Sequence, residues 1–272
     1  MIFLRAVKRI SPITPDDEYP LGASVLKSLE SLVFTKPVTF LTGDNGSGKT
    51  TLLELIAAKI AANRIDGDAA DMLGKAAHFE QAEGAFRAEL MHKPRRCIYF
   101  QAEGFIRYID SYNAMKREAN SGLRAVKENA GIRSAYAKSL ASMPHARTLH
   151  ELNALYENDI AARSHGEGFL DFFGARIGEK GLYLLDEPEA ALTFYNQYVL
   201  MNMLAHAQMN ESQFIISTHS PVLLAYPDAC IYEIKNGEIE KSDYKSLENV
   251  KFLSAFLADT PRYTKDIFKN ED

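Results

Sequence analysis

The sequence predicts an α/β domain built on a largely parallel sheet, and three observations lead to this prediction. Short apolar runs typical of buried strands occur at 37–43, 181–187 and 213–219. Segments with the apolar spacing of helices alternate with these runs, as in repeated strand–helix units. Each run ends in a reactive polar stretch, beginning at Gly43, Asp186 and His219. Because ligands bind at the carboxyl ends of the strands in such sheets, we expect these three stretches to meet at one edge.

The first half of the chain gives a partial element order. Short strands are predicted up to about residue 33, broken by the turn-rich stretch at 11–20. The strand at 37–43 is followed by a helix with one apolar face at about 51–64. Residues 63–95 give no clear pattern, and a further strand then ends at Gln101. The first segment therefore predicts N-terminal strands beside the main sheet.

The second half predicts a helical insertion and a return to the sheet. Residues from about 106 to 162 are mostly helical and polar, so we expect one domain over 1–272 with a helical lobe inserted at about 103–170. A helix over 189–208 is predicted between the last two core strands. A hairpin is predicted around Asn236 and Gly237. The amphipathic helix at 247–258 is expected to pack on the sheet, with docking of a partner as the alternative.

Composition excludes several classes of protein. The 272 residues are 46% apolar and 25% charged, which suits a globular domain. The net charge of −5 gives no overall basic field for nucleic acid. The two cysteines, Cys97 and Cys230, lie in apolar runs, which indicates a reducing compartment. The start lacks the pattern of a signal peptide and no apolar run reaches about 18 residues, so we expect a cytoplasmic protein without membrane insertion.

The stretch GDNGSGKT matches the G-x-x-x-x-G-K-[ST] phosphate-loop pattern. Its glycines let the backbone curl so that N–H groups point at phosphate oxygens, and the next helix presents its positive end to them. Lys49 is expected to reach the β- and γ-phosphates and Thr50 to bind Mg²⁺. The predicted ATP-binding residues are Gly43, Asp44, Asn45, Gly46, Ser47, Gly48, Lys49, Thr50 and Thr51.

Two adjacent carboxylates end the strand GLYLLDE. Asp186 is suited to hold Mg²⁺, and Glu187 to orient or deprotonate the water that attacks the γ-phosphate. A neighbouring cation is needed, because two buried carboxylates are otherwise costly. The alternative is a strand that ends in a charged turn, which the phosphate loop in the same chain disfavours.

His219 and Gln101 end two further core strands. His219 can hydrogen-bond the γ-phosphate and the attacking water, although a lone His is more often structural. The Gln101 amide is a candidate ligand of Mg²⁺ and the attacking water, with Glu103 as a rival. The predicted catalytic residues are therefore Glu187, His219 and Lys49, and the predicted metal ligands are Thr50, Asp186 and Gln101.

In this order these motifs resemble the ATP-binding-cassette (ABC) ATPases. The stretches TGDNGSGKTTLLE, SHGEGFL, GLYLLDEPEAAL and QFIISTHSPVLLAYPDA are similar to the small soluble ABC-type AAA family ATPases, relatives of RecF and of the heads of structural-maintenance-of-chromosomes (SMC) proteins. The resemblance covers residues 1 to about 260 and implies a P-loop NTPase fold with an ABC-type core, which has a mainly parallel sheet, N-terminal antiparallel strands and an inserted helical lobe. It also implies ATP and Mg²⁺ as ligands, and a head-to-tail homodimer that forms on ATP binding.

The stretch Ser164, His165, Gly166 and Glu167 stands where that superfamily carries its signature. The resemblance implies that it covers the γ-phosphate held by the other subunit. Ser164 offers a hydroxyl, Gly166 an uncrowded N–H, and the helix expected from Gly168 its positive end. A plain Ser cap with Glu167 in the first turn is the alternative, and both roles can hold at once.

The chain departs from the family pattern at several positions. The signature is not the LSGGQ of transporter subunits, and Thr193 stands where many cassettes have Asp. The small soluble group often has Arg at the position of Gln101, which leaves its metal role open. Tyr19 is a candidate for stacking on adenine, with a surface tyrosine as the alternative.

The motifs favour a soluble ATPase whose dimerisation cycle switches or moves a protein or DNA partner, in DNA maintenance or phage defence. One alternative is the nucleotide-binding subunit of a membrane transporter. The other is a module that binds ATP without turnover, which would need neither Glu187 nor His219. A kinase is disfavoured, because no acceptor pocket is visible in the sequence.

Overall fold

A computed structural model of the chain describes residues 1–14, 17–65, 79, 82, 84–129, 134–155, 165–265 and 267. Within these residues a seven-stranded sheet has the order β10-β9-β3-β8-β7-β6-β4. All neighbours in it are parallel except β9 and β10, which form an antiparallel hairpin. The strands are β3 (Val38–Gly43), β4 (Asn63–Ile65), β6 (Arg96–Gln101), β7 (Gly181–Asp186), β8 (Gln213–Ser217), β9 (Cys230–Lys235) and β10 (Glu238–Ser242). The predicted mainly parallel sheet is confirmed.

A second sheet of three strands is antiparallel, with the order β2-β1-β5. It consists of β1 (Leu4–Arg9), β2 (Ser31–Val33) and β5 (Phe86–Leu90). The N-terminal antiparallel strands are therefore confirmed, and β5 adds a strand from the region that the pattern left unassigned. In β1 the residues Leu4, Ala6 and Val7 are buried, and strict alternation is interrupted where the pairing with β5 shifts register between Leu4 and Ala6.

The helices are α1 (Ser24–Ser28), α2 (Lys49–Lys59), α3 (Ala102–Glu128), α4 (Ala135–Leu155), α5 (His165–Arg176), α6 (Phe194–Met209), α7 (Pro221–Leu224), α8 (Glu248–Ala258) and α9 (Thr260–Thr264). The long helices α3 and α4 pack against each other within the segment predicted as the helical lobe. The division into one domain with an inserted lobe stays a prediction. The chain reverses between β9 and β10 at Asn236 and Gly237, both with positive φ, as the hairpin prediction required.

Two apolar cores cover the two faces of the main sheet. One joins α2 and the antiparallel sheet to side chains such as Leu41, Tyr99 and Leu184. The other packs α5 and α6 on side chains such as Phe40 and Phe100. Because successive residues of a strand point to opposite faces, Phe40 and Leu41 enter different cores. The sheet is thus buried on both faces, which explains the continuous apolar runs in its strands.

Four helix predictions need correction. The helix predicted at about 51–64 is α2, which ends at Lys59, and Asn63 and Arg64 belong to strand β4. The helix predicted over 189–208 is a 3₁₀ turn at Pro188–Ala191 followed by α6, which begins only at Phe194. The break has a physical reason, because Thr193 is extended and its side chain accepts a hydrogen bond from the Asn196 N–H as an N-cap. Helix α5 begins at His165, three residues before the expected start at Gly168. The short helix α1 lies in a segment for which only strands were predicted.

In the described part of the chain, no helix combines the length and the apolar character that a membrane span needs. Both cysteines are unpaired, with Cys230 buried and Cys97 half-buried. Burial raises the pKa of the Cys97 thiol, so this thiol stays protonated at neutral pH.

Candidate functional site

The carboxyl ends of the central strands bring the predicted residues together. Gln101 at the end of β6 is in register with Asp186 at the end of β7, and Asp186 is in register with Ser217 at the end of β8. Strand β3 lies on the other side of β8 and leads into the phosphate loop. The three reactive stretches therefore share one edge of the sheet, as the strand pattern predicted.

The phosphate loop owes its shape to its glycines. Gly43, Gly46 and Gly48 all have positive φ, at 141°, 79° and 99°. A Cβ on Gly43 would lie 2.3 Å from the carbonyl oxygen of Ile234, and one on Gly48 would lie 2.4 Å from Cγ1 of Val25. At both of these positions the backbone conformation and the close neighbour together require glycine.

Lys49 opens helix α2 directly after Gly48. Its ammonium donates to the carbonyl oxygens of Gly43 (3.0 Å) and Asp44 (3.1 Å), so the side chain folds back over the loop. The residue is only 4% exposed, and Glu187 Oε1 lies 3.9 Å from its Nζ. Burial lowers the pKa of Lys49, against the opposing effect of nearby carboxylates that include Glu187 and Asp186. A buried cation of this kind fits the binding of an anion at the loop.

Asp186 is the most enclosed carboxylate of the site, at 2% exposure. Its Oδ1 accepts hydrogen bonds from Thr50 Oγ1 (3.2 Å) and from the Ser217 hydroxyl, and its Oδ2 accepts one from the Tyr99 hydroxyl (3.4 Å). Burial raises the pKa of Asp186, although the hydrogen bonds from Ser217 and Thr50 oppose this effect. A buried carboxylate held by hydroxyls fits a divalent cation, which would remove the cost of the isolated charge.

Glu187 has a left-handed backbone, with φ 46° and ψ 52°. Its N–H donates to the backbone carbonyl and to the hydroxyl of Ser217, both at 3.1 Å. This conformation turns the chain out of β7, and a residue other than glycine adopts it only at a cost. Glu187 Oε1 lies 3.5 Å from His219 Nε2 as well as 3.9 Å from Lys49 Nζ. The three predicted catalytic residues thus meet at one carboxylate oxygen.

The loop after β8 is held by a residue that the sequence analysis missed. Glu189 Oε1 accepts hydrogen bonds from the Thr218 hydroxyl (2.6 Å), the His219 N–H (2.6 Å) and the Ser220 N–H (3.1 Å). Asn249 at the start of α8 donates from Nδ2 to the His219 carbonyl oxygen (2.9 Å). Glu189 could have been suspected from its place two residues after Glu187. Asn249 carries no pattern that links it to position 219.

Tyr99 and Ser217 were also missed as partners of Asp186. Both lie in predicted strands, where a polar residue could face either the core or the site. The parallel pairing of β7 with β8 places Ser217 beside Asp186. The Ser217 hydroxyl therefore donates a hydrogen bond to the Asp186 carboxylate because of strand register, not because of a sequence motif. Burial and the nearby Asp186 carboxylate raise the pKa of Tyr99 well above its ordinary value, so its hydroxyl keeps its proton and can donate.

The remaining predicted residues differ in their position relative to Asp186 and the phosphate loop. Ser164 lies outside the described residues, and His165, Gly166 and Glu167 form the first turn of α5. Glu103 is exposed in the first turn of α3, whereas Gln101 ends β6 beside Asp186. This arrangement favours Gln101 over Glu103 as a ligand near Asp186. Tyr19 is 57% exposed with its ring edge-on to Phe79, and its role toward adenine stays a prediction.

A cleft of about 660 Å³ lies beside the phosphate loop. Asp44, Asn45 and Ser47 line one side, and Lys235 and Glu248 line the other. Within the described residues no three His, Cys, Asp or Glu side chains cluster as a metal site. The residues that could hold a cation at Asp186 are Thr50, whose hydroxyl donates to the same carboxylate, and Gln101 at the end of the neighbouring strand.

Two family models match the sequence. Residues 24–121 match the model of an AAA domain, and residues 111–225 match a model described as "AAA domain, putative AbiEii toxin, Type IV TA system". The two matches overlap and together extend from residue 24 to residue 225, which includes the phosphate loop, the Asp186-Glu187 pair and His219. A comparison with curated proteins gives no significant match.

Solved structures with a similar fold are distant in sequence. An SMC head domain from Pyrococcus furiosus, with an extended coiled coil and bound to the C-terminal domain of ScpA, is 13% identical with a TM-score of 0.48, over 94% of this chain and 100% of that chain. The SMC head domain from Thermotoga maritima is 15% identical with a TM-score of 0.44, over 89% and 100%. A nucleotide-free ATP-binding cassette from an ABC transporter is 18% identical with a TM-score of 0.43, over 94% and 96%. The matched segments of the two AAA-domain models each cover less than half of the 272 residues.

Proposed function

We propose that this chain, in which residues 24–121 and 111–225 match models of AAA domains, hydrolyses ATP to ADP and phosphate. The observation that carries the proposal is the meeting of Lys49, Glu187 and His219 at one carboxylate oxygen. A site that only binds ATP needs the phosphate loop alone. A carboxylate placed against a His is suited to act on water.

The binding step assigns roles to the residues of the loop. Backbone N–H groups of residues 43–51 hold the phosphate chain, and Lys49 pairs with the β- and γ-phosphates in place of its contacts with the loop carbonyls. Thr50 and Asp186, with Gln101 beside them, would hold Mg²⁺. When bound, that ion would offset negative charge on the phosphates. The buried carboxylate of Asp186 and the buried cation of Lys49 each fit this arrangement.

The hydrolytic step uses Glu187 and His219. Glu187 Oε1 orients a water molecule in line with the γ-phosphorus and accepts its proton as the new P–O bond forms. The bond from the γ-phosphorus to the bridging oxygen breaks, and ADP leaves with that oxygen. His219 holds the γ-phosphate and the attacking water from the other side. Its ring nitrogen faces the same carboxylate oxygen at 3.5 Å.

We further propose that ATP drives head-to-tail pairing of two copies, with residues 164–167 of one copy on the γ-phosphate held by the other. Support comes from α5, whose N-terminal turn begins at His165 and offers free N–H groups to an anion. The cycle would switch or move a protein or DNA partner. The description of the second matched family, a putative toxin of a toxin–antitoxin system, supports a role in defence rather than in transport. The free cysteines suit a cytoplasmic setting.

The experiment that tests the proposal measures ATP turnover and ATP binding in the wild-type protein and in Glu187→Gln. We expect turnover to fall by about 10² to 10⁴-fold while binding remains, because the substitution removes only the proton acceptor. Glu240→Gln, which changes an exposed carboxylate on the edge strand β10, is the control and should keep full turnover. Unchanged turnover in Glu187→Gln, or wild-type turnover at the uncatalysed rate, would refute hydrolysis at this site.

A further inference from the structure

We propose that Glu189 and Asn249 are positioning residues that hold the backbone of His219 from both sides and so place its ring against Glu187. The inference rests on the proposed hydrolytic role of His219. Glu189 accepts from the His219 N–H at 2.6 Å, and Asn249 donates to the His219 carbonyl oxygen at 2.9 Å. Side chains from two other elements thus bind both backbone polar groups of His219, and these two hydrogen bonds form a clamp on its backbone.

On the Glu189 side of this clamp, one carboxylate oxygen accepts all of the hydrogen bonds. Oε1 takes three donors from three successive residues, Thr218, His219 and Ser220. These bonds fix the direction in which the chain leaves β8, and that direction sets where the His219 side chain points. Glu189 also lies in the 3₁₀ turn that follows Glu187. The turn carrying the proposed base and the loop carrying His219 are therefore tied to each other.

The Asn249 side connects the site to the C-terminal helices. The amide orientation of Asn249 is fixed, because its Oδ1 accepts from the Val250 N–H at 2.9 Å and leaves Nδ2 to face His219. Leu247 and Val250 are buried in the second core and anchor the first turn of α8. Tyr244 adds a hydrogen bond to the carbonyl oxygen of Pro221, just after the loop. The start of α8 is thus a fixed support for His219.

The rest of α8 is far more exposed than its first turn. Phe252 is 59% exposed and Leu257 is 68% exposed, whereas Val250 is 6% exposed. The expected packing of this helix on the sheet is therefore limited to its start. Because Asn249 belongs to the packed start, a shift of α8 would be transmitted to the carbonyl oxygen of His219 and then to its ring. Asn249 is the contact through which α8 can alter the rate of hydrolysis.

The kinetic test is a double-mutant cycle with His219. Asn249→Ala and Glu189→Ala should each lower kcat about 10-fold and leave KM for ATP unchanged, since a displaced group costs rate rather than affinity. In a His219→Ala background, neither change should lower kcat further. Glu189→Gln, which keeps an acceptor oxygen, should recover part of the rate. A full additional loss in the His219→Ala background would overturn the proposal, because the two residues would then not act through His219.

Asn202→Ala is the matched control for Asn249→Ala. Asn202 also donates from its amide to a backbone carbonyl oxygen, that of Tyr198 at 2.8 Å, but it lies on α6 away from the loop. We expect this control to keep the wild-type kcat. Thermal unfolding of each variant identifies any change that merely unfolds the protein.

A second measurement does not depend on turnover. Amide hydrogen exchange in the segment 213–222 should speed up in both variants, because the His219 N–H loses its acceptor in Glu189→Ala and the His219 carbonyl oxygen loses its donor in Asn249→Ala. Faster exchange with no wild-type turnover would retain the clamp while refuting the proposed function. Unchanged exchange together with unchanged kcat in both variants would overturn the clamp and leave the proposed function standing.

Discussion

Thr50 and Asp186 are joined by a hydrogen bond of 3.2 Å from Thr50 Oγ1 to Asp186 Oδ1, although 136 positions separate them in the chain. The bond links the first turn of α2 to the end of β7 and places two of the three proposed Mg²⁺ ligands in contact. Its acceptor is 2% exposed and carries a charge that burial disfavours. The site therefore includes a carboxylate whose ionisation works against the stability of the folded chain.

The first prediction concerns Asp186→Asn. Because burial raises the pKa of Asp186, the folded chain binds more protons than the unfolded chain between the ordinary value, about 3.9, and the raised value. The free energy of unfolding should fall as pH rises through that interval and stay lowered above it. Asp186→Asn should remove this cost, so its free energy of unfolding should depend less on pH and should exceed that of the wild type at neutral pH. Denaturant unfolding without nucleotide, at acidic and neutral pH, measures it.

The same variant should lose its response to ATP with Mg²⁺. Wild-type protein should gain thermal stability when both are added, and Asp186→Asn should gain much less. Glu240→Gln, on the exposed side of β10, should respond as the wild type does. The assignment of Asp186 to the metal would be wrong if Asp186→Asn kept the full Mg²⁺-dependent gain.

The second prediction compares two glycines of the phosphate loop. Both have positive φ, but a Cβ on Gly46 meets no atom within 4 Å, whereas one on Gly48 meets the buried Val25. Gly46→Ala should cost about 1–2 kcal/mol for its backbone alone. Gly48→Ala should cost about 1–3 kcal/mol more, because Val25 has no room to move. Urea unfolding of the two variants compares them, and equal losses would contradict this account.

The third prediction concerns Thr193, which stands where many ABC cassettes have Asp. Its side chain caps α6 by accepting from the Asn196 N–H at 3.2 Å. Thr193→Ala should lower the free energy of unfolding by about 1 kcal/mol, and Thr193→Asp should leave it nearly unchanged, since both Thr and Asp are good caps. Thr260→Ala, at an exposed Thr on the C-terminal helices, should change it by less than about 0.5 kcal/mol. A loss in Thr193→Asp as large as in Thr193→Ala would contradict the capping role.

The sequence predicted the placement of the candidate site residues where a reactive motif directly follows an apolar strand of the sheet. The phosphate loop, the Asp186-Glu187 pair and His219 could be placed at one edge because each follows an apolar run. Parallel register then added Ser217 beside Asp186, a neighbour that no local pattern specifies. Strand β5 was not predicted, although its segment FRAEL alternates between apolar and charged residues as a strand with one buried face does.

The sequence pattern could not predict the contacts that hold His219. Asn249 lies 30 positions from His219, in a helix whose amphipathic spacing says only that one face is apolar. Glu189 stands in a segment predicted as helix, where its side chain would have faced solvent or the next turn. The 3₁₀ turn and the left-handed Glu187 redirect it toward the loop after β8. Tertiary geometry, rather than residue type, assigns both residues to the site.

The last prediction concerns pairing of two copies on ATP. Glu187→Gln should bind ATP without consuming it, so its light-scattering mass with ATP and Mg²⁺ should be twice its mass without them. Adding Ser164→Arg to this variant should abolish the doubling, because a long cation would replace the small hydroxyl of the residue that precedes His165 in the sequence. Thermal stabilisation by ATP should remain in the double variant, since its own phosphate loop is intact. A monomeric mass while ATP binds would instead make residues 164–167 a helix cap, or require a different chain to supply the second half of the site.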